Sequence, residues 1–391
     1  MAHAITYYAF DLMSGTLLAE LPLTGVTYSK RLNSSGALKG SLSVVDMETA
    51  RKIDLLNASR PMRTLLIVDV DGTAQWGGVI NARSPQNSPG DLSIGASESI
   101  WYLSQRFQAA DYTKHPSGPY WTTKDDKPTN IAAQIVSDVL SKHHSAFWSS
   151  GPFPWTIAIA EQSPDTNLIT ASYPLGQNSK VDSIFNALSS SGYGTGFDFA
   201  IDIAWQGGLA GGTPLFTLNL CYPRRGRTVA TSNAVIESGT FESYEWPEGG
   251  QANRLVLVGT NASQHQISVT AQSTASLDAG YPLYEDQVSA TETVTKSLLG
   301  VMVQDELALT EWPEVVPTAT LPMFGELAPG YFIEGDDIRW IHEPDDRFPS
   351  GFDVFMRCIG SDYTIADRGL STVKLTFNPT TSLSPTMQLP L

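Results

Sequence analysis

The stretch Thr64–Ile80, TLLIVDVDGTAQWGGVI, sets a D-x-D-G-T motif between two apolar runs. Two local structures fit this pattern. In one, a parallel strand ends at Asp69, and the carboxylates of Asp69 and Asp71 lie beside a metal ion as a catalytic pair. In the other, Asp71 and Gly72 form a tight turn between two antiparallel strands. Each structure implies a different fold for the rest of the chain.

The residues that follow the motif favour the antiparallel hairpin. Haloacid dehalogenase-like phosphatases use the catalytic pair, and they are doubly wound α/β proteins in which a helix follows the motif. Parallel strands need a connection of about a dozen residues or more, whereas here the apolar segment AQWGGVI comes directly after the motif. We therefore predict the hairpin. A phosphatase that uses Asp69 and Asp71, with Asp336 and Asp337 as a second acidic pair, is kept as an alternative.

The predicted hairpin has two faces and an interrupted return strand. Alternation along the first strand puts Leu65, Ile67 and Asp69 on one face and Leu66, Val68 and Val70 on the other. In the return strand, Gly77-Gly78 indicates a β-bulge or a close approach of another backbone. A bulge there would bend the strand, as a small β-barrel requires.

Composition and charge are typical of a β-rich protein that avoids polyanions. Of the 391 residues, 41% are hydrophobic and only 16% are charged, which is below the usual quarter. The net charge of −16, from 24 basic and 40 acidic residues, disfavours tight binding to nucleic acids or anionic membranes. It is compatible with simple solubility, and also with a lumen through which DNA slides without sticking.

The cysteines and the apolar segments indicate a protein without a secretory route or a membrane helix. Cys221 and Cys358 are far apart and form no CxxC pair, so no disulfide framework is predicted. The start MAHAITYYAFDLMSG lacks the features of a signal peptide. No apolar run approaches the roughly 20 residues of a membrane helix.

The distribution of strands and helices predicts three parts. Residues 1–110 read as short strands with turns, typical of a small β-barrel domain, with one short helical candidate at 46–61. Residues 111–250 form an α+β middle domain, with amphipathic helices at 127–144 and 179–192 followed by strands. Residues 251–391 return to a β-barrel domain, with a helical segment near 291–309 and a loose C-terminal tail.

Other candidate sites have ordinary structural interpretations. The acidic segment EGDDIRWIHEPDDRF, residues 334–348, could line a glycosidase-like cleft with Trp340 and Phe348, or it could form exposed turns. The basic cluster of Arg224, Arg225 and Arg227 could neutralise an acidic surface of a partner. No zinc-hydrolase or nucleophile-elbow motif is present, and we predict no catalytic residues, no bound cofactor and no metal site.

Adjacent histidines at 143 and 144 are not a metal site either. Side chains of neighbouring residues on a helix point in different directions, so His143 and His144 cannot bind one ion together. We expect them to lie at the end of the predicted helix, where they would interact favourably with its dipole.

Segments at both ends of the chain resemble one family. They are LTGVTYSKRLNSSGALKGSLSV, LLIVDVDGTAQWGGVINARS and LSIGASESIWYLSQRF near the N-terminus, and GDDIRW with FPSGFDVFMRCIGSDYTIADRGLSTVKLTF near the C-terminus. In the minor tail proteins of long-tailed, siphovirus-like actinobacteriophages, a strand that ends in a D-G turn precedes a W-G-G-I-type strand and an S-A-S-E-like strand. The segment IGASES, Ile94–Ser99, differs from the last of these at one residue.

The resemblance implies a tail-tip or baseplate hub, similar to the hub of contractile tails and secretion spikes. Its fold would be mainly β, with two small β-barrel domains separated by an α+β portion. Three copies would close a ring with pseudo-sixfold symmetry that joins the tail tube to the tip and surrounds the DNA exit path. The ring would rearrange during host attachment and genome ejection.

The same resemblance implies the partners and the location. A homotrimer would contact the tail tube or distal tail protein, other tail-tip proteins and the tape measure protein. It would bind no specific nucleic acid, would have no membrane-spanning segment, and would assemble in the host cytoplasm into the virion. No enzyme activity is expected.

A rival function is binding of host-surface saccharides. It would use tryptophans as stacking platforms, and the candidates are Trp205, Trp246, Trp312 and Trp340. Isolated tryptophans are more often part of a core or an interface. Binding to a glycan array would discriminate the two functions.

Overall fold

The structure is a computed structural model. It describes residues 3–43, 54–85, 91–107, 120–141, 155–162, 168–174, 180–189, 196–208, 210–238, 240, 243–245, 248–261, 265–293, 295–323, 330–346, 348–367 and 370–379. These residues are mainly in strands, as predicted, with helices in the middle of the chain and in its last third.

The strands, in chain order, are β1 (Ile5–Asp11), β2 (Leu17–Glu20), β3 (Leu23–Arg31), β4 (Ala37–Ser43), β5 (Thr64–Val70), β6 (Thr73–Pro85), β7 (Asp91–Glu98), β8 (Tyr120–Asp126), β9 (Trp155–Glu161), β10 (Ile169–Pro174), β11 (Asp198–Trp205), β12 (Pro214–Tyr222), β13 (Val235–Glu237), β14 (Ser243–Glu245), β15 (Glu248–Gly249), β16 (Arg254–Thr260), β17 (Gln266–Gln272), β18 (Glu285–Thr293), β19 (Glu314–Val315), β20 (Thr318–Pro322), β21 (Asp337–His342), β22 (Phe352–Thr364) and β23 (Thr372–Pro379). The helices are α1 (Leu55–Ala58), α2 (Pro128–Ser141), α3 (Val181–Ser189), α4 (Thr274–Asp278) and α5 (Lys296–Thr310), and a 3-10 helix covers Ser99–Gln105.

Strands β5 and β6 form the predicted hairpin. Asp71 and Gly72 both have positive φ, 52° and 82°, as the two central residues of a type I′ turn require. Every residue of β5 is buried, because its two faces pack in different cores. The predicted division of the faces is confirmed: Leu65 and Ile67 lie in one core, and Leu66, Val68 and Val70 lie in the other.

The bulges of β6 lie on either side of Gly77-Gly78, not at it. The register shifts between Trp76 and Ala74 against β5, and between Ile80 and Ala82 against β7. The glycines instead permit a close approach of neighbouring atoms, which was the other explanation predicted for them. A Cβ on Gly78 would lie 2.2 Å from the backbone oxygen of Ser97, and one on Gly77 would lie 2.6 Å from Cδ1 of Ile203.

Thirteen strands belong to one sheet, in the order β14-β20-β23-β22-β3-β4-β7-β6-β5-β1-β2, with β21 and β13 attached at β22. The sheet consists of two units with the same order of strands. The first unit runs β3-β4-β7-β6-β5-β1, and the second runs β14-β20-β23-β22-β21-β13. The units differ at their last strand, since β1 is antiparallel to β5 whereas β13 is parallel to β21.

The register of the two units also agrees. The long strands β6 and β22 have 13 residues each. Against β7, β6 pairs through Ile80, skips one residue and resumes at Ala82; against β23, β22 pairs through Cys358, skips one residue and resumes at Gly360. A bulge in the same place bends both strands, so each unit curves around the same apolar face. Both units contribute to one shared hydrophobic core.

The middle of the chain packs on the outer face of the first unit. Strands β9, β12 and β11 form a three-stranded sheet, and α2 and α3 place apolar faces beside it. The faces carry the predicted residues, among them Ile131, Ile135, Ile184 and Phe185, which are buried with Leu65 in a second core. Burial of such side chains stabilises the contact by about 1.5–3 kcal/mol each before entropy is counted.

A third, smaller core lies in the last third of the chain. Strands β17, β16 and β18 form a sheet, and Leu299, Val303 and Leu307 of α5 pack on one face of it. The predicted helix near 291–309 is therefore present but begins at Lys296, because residues up to Thr293 belong to β18. In the sequence, this small sheet and α5 are inserted between β15 and β19 of the second unit. At the equivalent place, the first unit has only the short connection from β3 to β4.

Strands β13 and β14 fall within the residues assigned to the middle domain, yet they pair with β21 and β20 of the large sheet. The division of the chain at residues 110 and 250 stays a prediction. Residues 46–53 of the first helical candidate, the C-terminal tail from 380, and His143 and His144 lie outside the described residues. Within the described ranges, no helix has both the length and the apolar character needed to cross a bilayer.

Candidate functional site

The two units of the large sheet meet at β3 and the second half of β22. Five residue pairs join these strands, from Thr27 opposite Thr364 to Arg31 opposite Gly360. At the centre of this junction, the rings of Tyr28 and Tyr363 stack with their centroids 4.6 Å apart. Burial raises the pKa of both phenols. The junction is thus a continuous part of the sheet, with the two tyrosines buried on one of its faces.

Charged groups are buried beside this junction. Nζ of Lys30 lies 3.6 Å from Oε2 of Glu334, and Ser361 donates a short hydrogen bond to Oε1 of Glu334. Burial alone would lower the pKa of Lys30, but Glu334 raises it above its ordinary value. Glu98, whose Oε2 accepts a hydrogen bond of 2.9 Å from the backbone of Gly36, has its pKa raised by burial to about 7.

The basic cluster of residues 224–227 pairs with the acidic segment of residues 334–337. Arg224 binds Asp337 through two hydrogen bonds of 3.0 and 2.6 Å. Arg227 binds Asp336 through Nη2 at 2.5 Å and Nε at 3.1 Å. The Arg224 pair is bidentate, with one nitrogen on each carboxylate oxygen, and this geometry strengthens an arginine–carboxylate contact, whereas both bonds of Arg227 go to Oδ2 of Asp336. The expectation that these arginines neutralise a partner's surface is wrong for both, since their charges are satisfied within the chain.

Arg225 belongs to the same network from the other side. Its side chain is 5% exposed, and it donates to Oδ1 of Asp202 at 2.5 Å and to the backbone oxygen of Glu334 at 3.2 Å. Burial disfavours the charge, but Asp202 compensates, and the pKa of Arg225 is raised. This arginine therefore ties β11 to the segment that precedes β21.

Asp198 connects three parts of the chain. Its carboxylate accepts hydrogen bonds from Nδ2 of Asn33 at 3.0 Å and from the backbone of Arg225 at 2.5 Å, and it is paired with Arg357. Asn33 follows β3, Asp198 begins β11 and Arg357 lies in β22. The first unit, the middle sheet and the second unit therefore meet at one buried carboxylate.

The carboxylates proposed for a phosphatase have other roles. Oδ1 of Asp69 accepts a hydrogen bond of 2.8 Å from the backbone of Gly72, and Oδ2 accepts one of 2.5 Å from Nε1 of Trp205. Asp71 lies in the turn and binds His3 and the backbone of Ala4. The motif is part of an antiparallel hairpin, so the strand–helix arrangement of a phosphatase site is absent from this segment.

The second acidic pair belongs to the network, and the tryptophan of the glycosidase-like segment lies in a core. Asp336 and Asp337 are 0% and 1% exposed and are bound by Arg227 and Arg224. Trp340 is fully buried in the shared core, where it cannot contact a sugar. Among the described residues, no group of three or more histidine, cysteine, aspartate or glutamate side chains could hold a metal ion.

Two of the four candidate tryptophans for saccharide binding lie in cores. Trp205 is 6% exposed and Trp340 is 0% exposed. Trp312 is half-buried, and its ring meets the edge of Tyr281 with the centroids 5.9 Å apart. Trp246 lies outside the described residues. The two cysteines are buried and free.

Only part of this site was predictable from the sequence. The runs YPRRGR and EGDD are both visible in the sequence as charged segments of opposite sign. That opposite sign was the available signal that the two segments pair with each other. Lys30, Glu98 and Asp198 lie in ordinary strand patterns, where one buried charge is not distinguishable from an exposed one. Chemically, the network consists of charges that satisfy one another, so it is suited to holding the two units and the middle sheet in one arrangement.

Two solved structures with the same fold are tail proteins. A tail protein from Neisseria meningitidis MC58 superposes with a TM-score of 0.60 and 12% identity, covering 97% of this chain and 97% of that chain. A 43 kDa tail protein of prophage MuSo2 from Shewanella oneidensis superposes with a TM-score of 0.56 and 12% identity, covering 96% of this chain and 98% of that one. No protein-family model matches the sequence, and no curated protein does. The chain therefore has the fold of these tail proteins.

Proposed function

We propose that this chain is a structural component of a phage tail tip, a baseplate hub with no enzymatic role. The observation that carries the proposal is the agreement in fold with two tail proteins over almost the whole length of each chain. The resemblance to minor tail proteins of siphovirus-like actinobacteriophages supports it independently, because it rests on sequence segments at both ends.

The hub would be a ring of three copies. Each chain supplies two sheet units with the same order of strands, so three copies would present six similar units to a hexameric tail tube. The partners would be the tail tube or distal tail protein on one side, and other tail-tip proteins and the tape measure protein on the other. Assembly would take place in the host cytoplasm, and the mature location would be the virion.

The ring would surround the DNA exit path without binding DNA tightly. The net charge of −16 repels a polyanion, and Arg224, Arg225 and Arg227 are already paired with carboxylates of the chain. During host attachment and genome ejection, the ring would act mechanically, by holding the tube to the tip and opening the path.

Electron microscopy of the purified chain at high protein concentration tests this proposal. We expect closed rings with threefold symmetry and a central hole. Rings of another order would contradict the trimer but keep the hub, whereas compact monomers at every concentration, also after addition of the tail tube protein, would overturn the ring. A glycan array serves as the control for function, since a hub is expected to show no saccharide binding.

A further inference from the structure

A cavity of about 200 Å³ opens between the first unit of the large sheet and the middle of the chain. Its walls come from the connection between β3 and β4, from the 3-10 helix that follows β7, and from α3 with β11. The cavity is smaller than the roughly 300–1,000 Å³ of pockets that hold drug-sized ligands. It is therefore suited to a single side chain rather than to a nucleotide or an oligosaccharide.

The floor of the cavity is apolar and closely packed. It consists of Ile100, Leu103, Phe185 and Phe199, all buried and at most 6% exposed. The rings of Phe185 and Phe199 meet edge to face with their centroids 4.9 Å apart. A polar group that reached this floor would lose its hydration without gaining a hydrogen bond, which is unfavourable. The inner part of an occupant is therefore expected to be apolar.

The rim of the cavity carries one charge and one large aromatic ring. Asp182 in the first turn of α3 and Trp101 in the 3-10 helix both line the cavity and are half-buried. Oδ1 of Asp182 accepts a hydrogen bond of 2.9 Å from the backbone of Ser183. Among the described residues, no lysine or arginine pairs with Asp182, and none lines the cavity. The cavity therefore holds a negative charge that no basic side chain of the described segments compensates.

One wall of the cavity is fixed by the network that joins the units. Asn33 lines the cavity, donates from Nδ2 to Asp198 at 3.0 Å, and accepts at Oδ1 a hydrogen bond of 2.7 Å from the backbone of Phe199. Its own backbone N–H donates to the backbone oxygen of Phe199 at 3.1 Å. These bonds form this wall before a ligand arrives, and a preformed site loses less conformational entropy on binding.

We propose that this cavity receives an arginine side chain from another protein of the tail. The aliphatic stem of the arginine contacts the apolar floor, and its guanidinium group lies on the ring of Trp101 and pairs with Asp182. The source of the arginine rests on the proposed function, because it assumes neighbouring tail proteins. The chemistry of the cavity does not depend on that source.

Arginine combines the two properties that the cavity requires. Its stem is buried along apolar surface while the charged head stays near solvent. The planar guanidinium group stacks on an aromatic face, best on tryptophan, and can pair with a carboxylate at the same time. A lysine ammonium group is more strongly hydrated and has no flat face, so we expect lysine to bind more weakly.

Other classes of ligand fit the cavity less well. An anionic ligand would be repelled by Asp182 and by the net charge of −16. A sugar ring could stack on Trp101, but hydroxyl groups on its inner side would lie against the apolar floor and lose their hydration. An aliphatic or aromatic side chain would fill the floor and leave Asp182 without a counter-charge.

The test is a titration of the full-length chain, isotope-labelled at its tryptophan indole nitrogens and followed by NMR. Trp101→Phe assigns the Trp101 signal. The probe is N-acetyl-arginine-methylamide, which carries the side chain without charged main-chain ends. We expect the Trp101 signal to shift and saturate with a Kd of about 1–10 mM. The neutral isostere N-acetyl-citrulline-methylamide should bind about 3–30-fold more weakly, because it lacks the cation.

Two charge variants separate the cavity from the overall charge of the chain. Asp182→Asn should lower the affinity for the arginine probe about three- to fivefold and leave the affinity for the citrulline probe unchanged. Asp278→Asn is the matched control. Asp278 is exposed and does not line the cavity, so this variant removes the same charge and should change neither affinity.

The remaining outcomes would overturn the proposal. Absence of a Trp101 shift with the arginine probe, equal binding of the two probes, or equal effects of the two variants would each contradict the arginine site. A shift produced by methyl glucoside instead would replace arginine by a saccharide. Free arginine that binds several-fold more tightly than the blocked probe would assign the cavity to the free amino acid and exclude docking of a partner.

Electron microscopy separates failure of this site from failure of the proposed function. Rings formed by a chain that does not bind the arginine probe would overturn the site and leave the hub intact. A chain that binds the probe and forms no ring under any condition would keep the site and overturn the ring.

Discussion

Asp69 shows how a side chain of a catalytic-looking motif can be used for structure. Its carboxylate is 3% exposed and accepts one hydrogen bond from the turn and one from Trp205 of β11. It thereby fixes the hairpin and attaches the middle sheet to it. A charged acceptor of a buried donor contributes more than an ordinary hydrogen bond, because its loss leaves the indole N–H of Trp205 buried and unsatisfied.

We expect Asp69→Ala to lower the free energy of unfolding by about 2–4 kcal/mol, measured by urea denaturation with tryptophan fluorescence. Asp71→Asn is the control. Asp71 is exposed, and asparagine tolerates its positive φ, so the change should stay below about 1 kcal/mol. Equal losses in the two variants would contradict the role assigned to Asp69, and so would phosphomonoester hydrolysis that depends on Mg²⁺ and Asp69.

Glu98 predicts a pH dependence of stability. Burial beside Glu334 and Asp202, opposed by Lys30 and the backbone of Gly36, raises its pKa from 4.5 to about 7. The folded state therefore binds this proton more strongly than the unfolded state does. The resulting stabilisation is complete below about pH 4.5 and is lost as the pH rises through 7.

The substitution Glu98→Gln removes this titration. We expect the variant to gain stability relative to the natural chain by about 2–3 kcal/mol more at pH 8.5 than at pH 4.5, measured by denaturant unfolding at both pH values. Glu245→Gln is the control, because a hydrogen bond from Lys374 lowers the pKa of the exposed Glu245, so its effect on stability changes below this pH window and the difference should stay nearly constant between pH 4.5 and 8.5. A pH-independent difference for Glu98→Gln would contradict the assignment.

Replacing two glycines, Gly78 in a strand and Gly300 in a helix, by alanine should change the stability of the chain in opposite directions. In β6, a Cβ on Gly78 would lie 2.2 Å from the backbone oxygen of Ser97 and 2.4 Å from the ring of Trp76. Neither the backbone of β7 nor the buried indole can move freely in a packed sheet. In α5, by contrast, Gly300 has nothing within 4 Å of an added Cβ.

We expect Gly78→Ala to lower the free energy of unfolding by about 1–3 kcal/mol or more through overpacking. Gly300→Ala should raise it by about 0.5–1 kcal/mol, because alanine loses less backbone entropy in a helix. Thermal and urea unfolding of both variants measure the difference. Stabilisation by Gly78→Ala would show that the close approach to β7 is not present in solution.

The joining of the units depends on Asp198. This carboxylate is 4% exposed and holds Asn33 of the first unit, Arg225 of the middle and Arg357 of the second unit. We expect Asp198→Ala to lower the free energy of unfolding by about 3–5 kcal/mol, because removal of one partner leaves buried charge uncompensated. A matched control is Asp353→Ala, which breaks the exposed bidentate pair with Arg339 and should cost less than about 1 kcal/mol.

The same measurement tests whether the units unfold together. If the network at Asp198 couples them, denaturation followed by fluorescence and by circular dichroism should coincide in the natural chain and separate in Asp198→Ala. Coincident transitions with an unchanged midpoint in the variant would mean that the shared core alone joins the units.

The hairpin and the helices were predictable because residues close together in the sequence determine them. Alternating apolar residues and the Asp71-Gly72 pair specify the hairpin, and the spacing of Ile131, Ile135 and Val139 specifies α2. The start of α5 was predicted too early, since residues 285–293 gain partners from β16, which no periodicity reveals. Close approach at Gly78 was one of two predicted reasons for the glycine pair, and only the position of Ser97 distinguishes them.

Strand content, the hairpin at residues 64–80 and the amphipathic helices thus follow from the order of residues alone, because each depends on dihedral preferences and on periodicity over a few neighbours. The tertiary structure decided the pairing of β3 with β22, the use of the arginines by the chain's own carboxylates, and the equivalence of the two units. The strand pairing and the ion pairs of Arg224 and Arg227 join residues more than 100 positions apart. Their free energy comes from burial and from exclusion of water, which exist only once the sheets have packed.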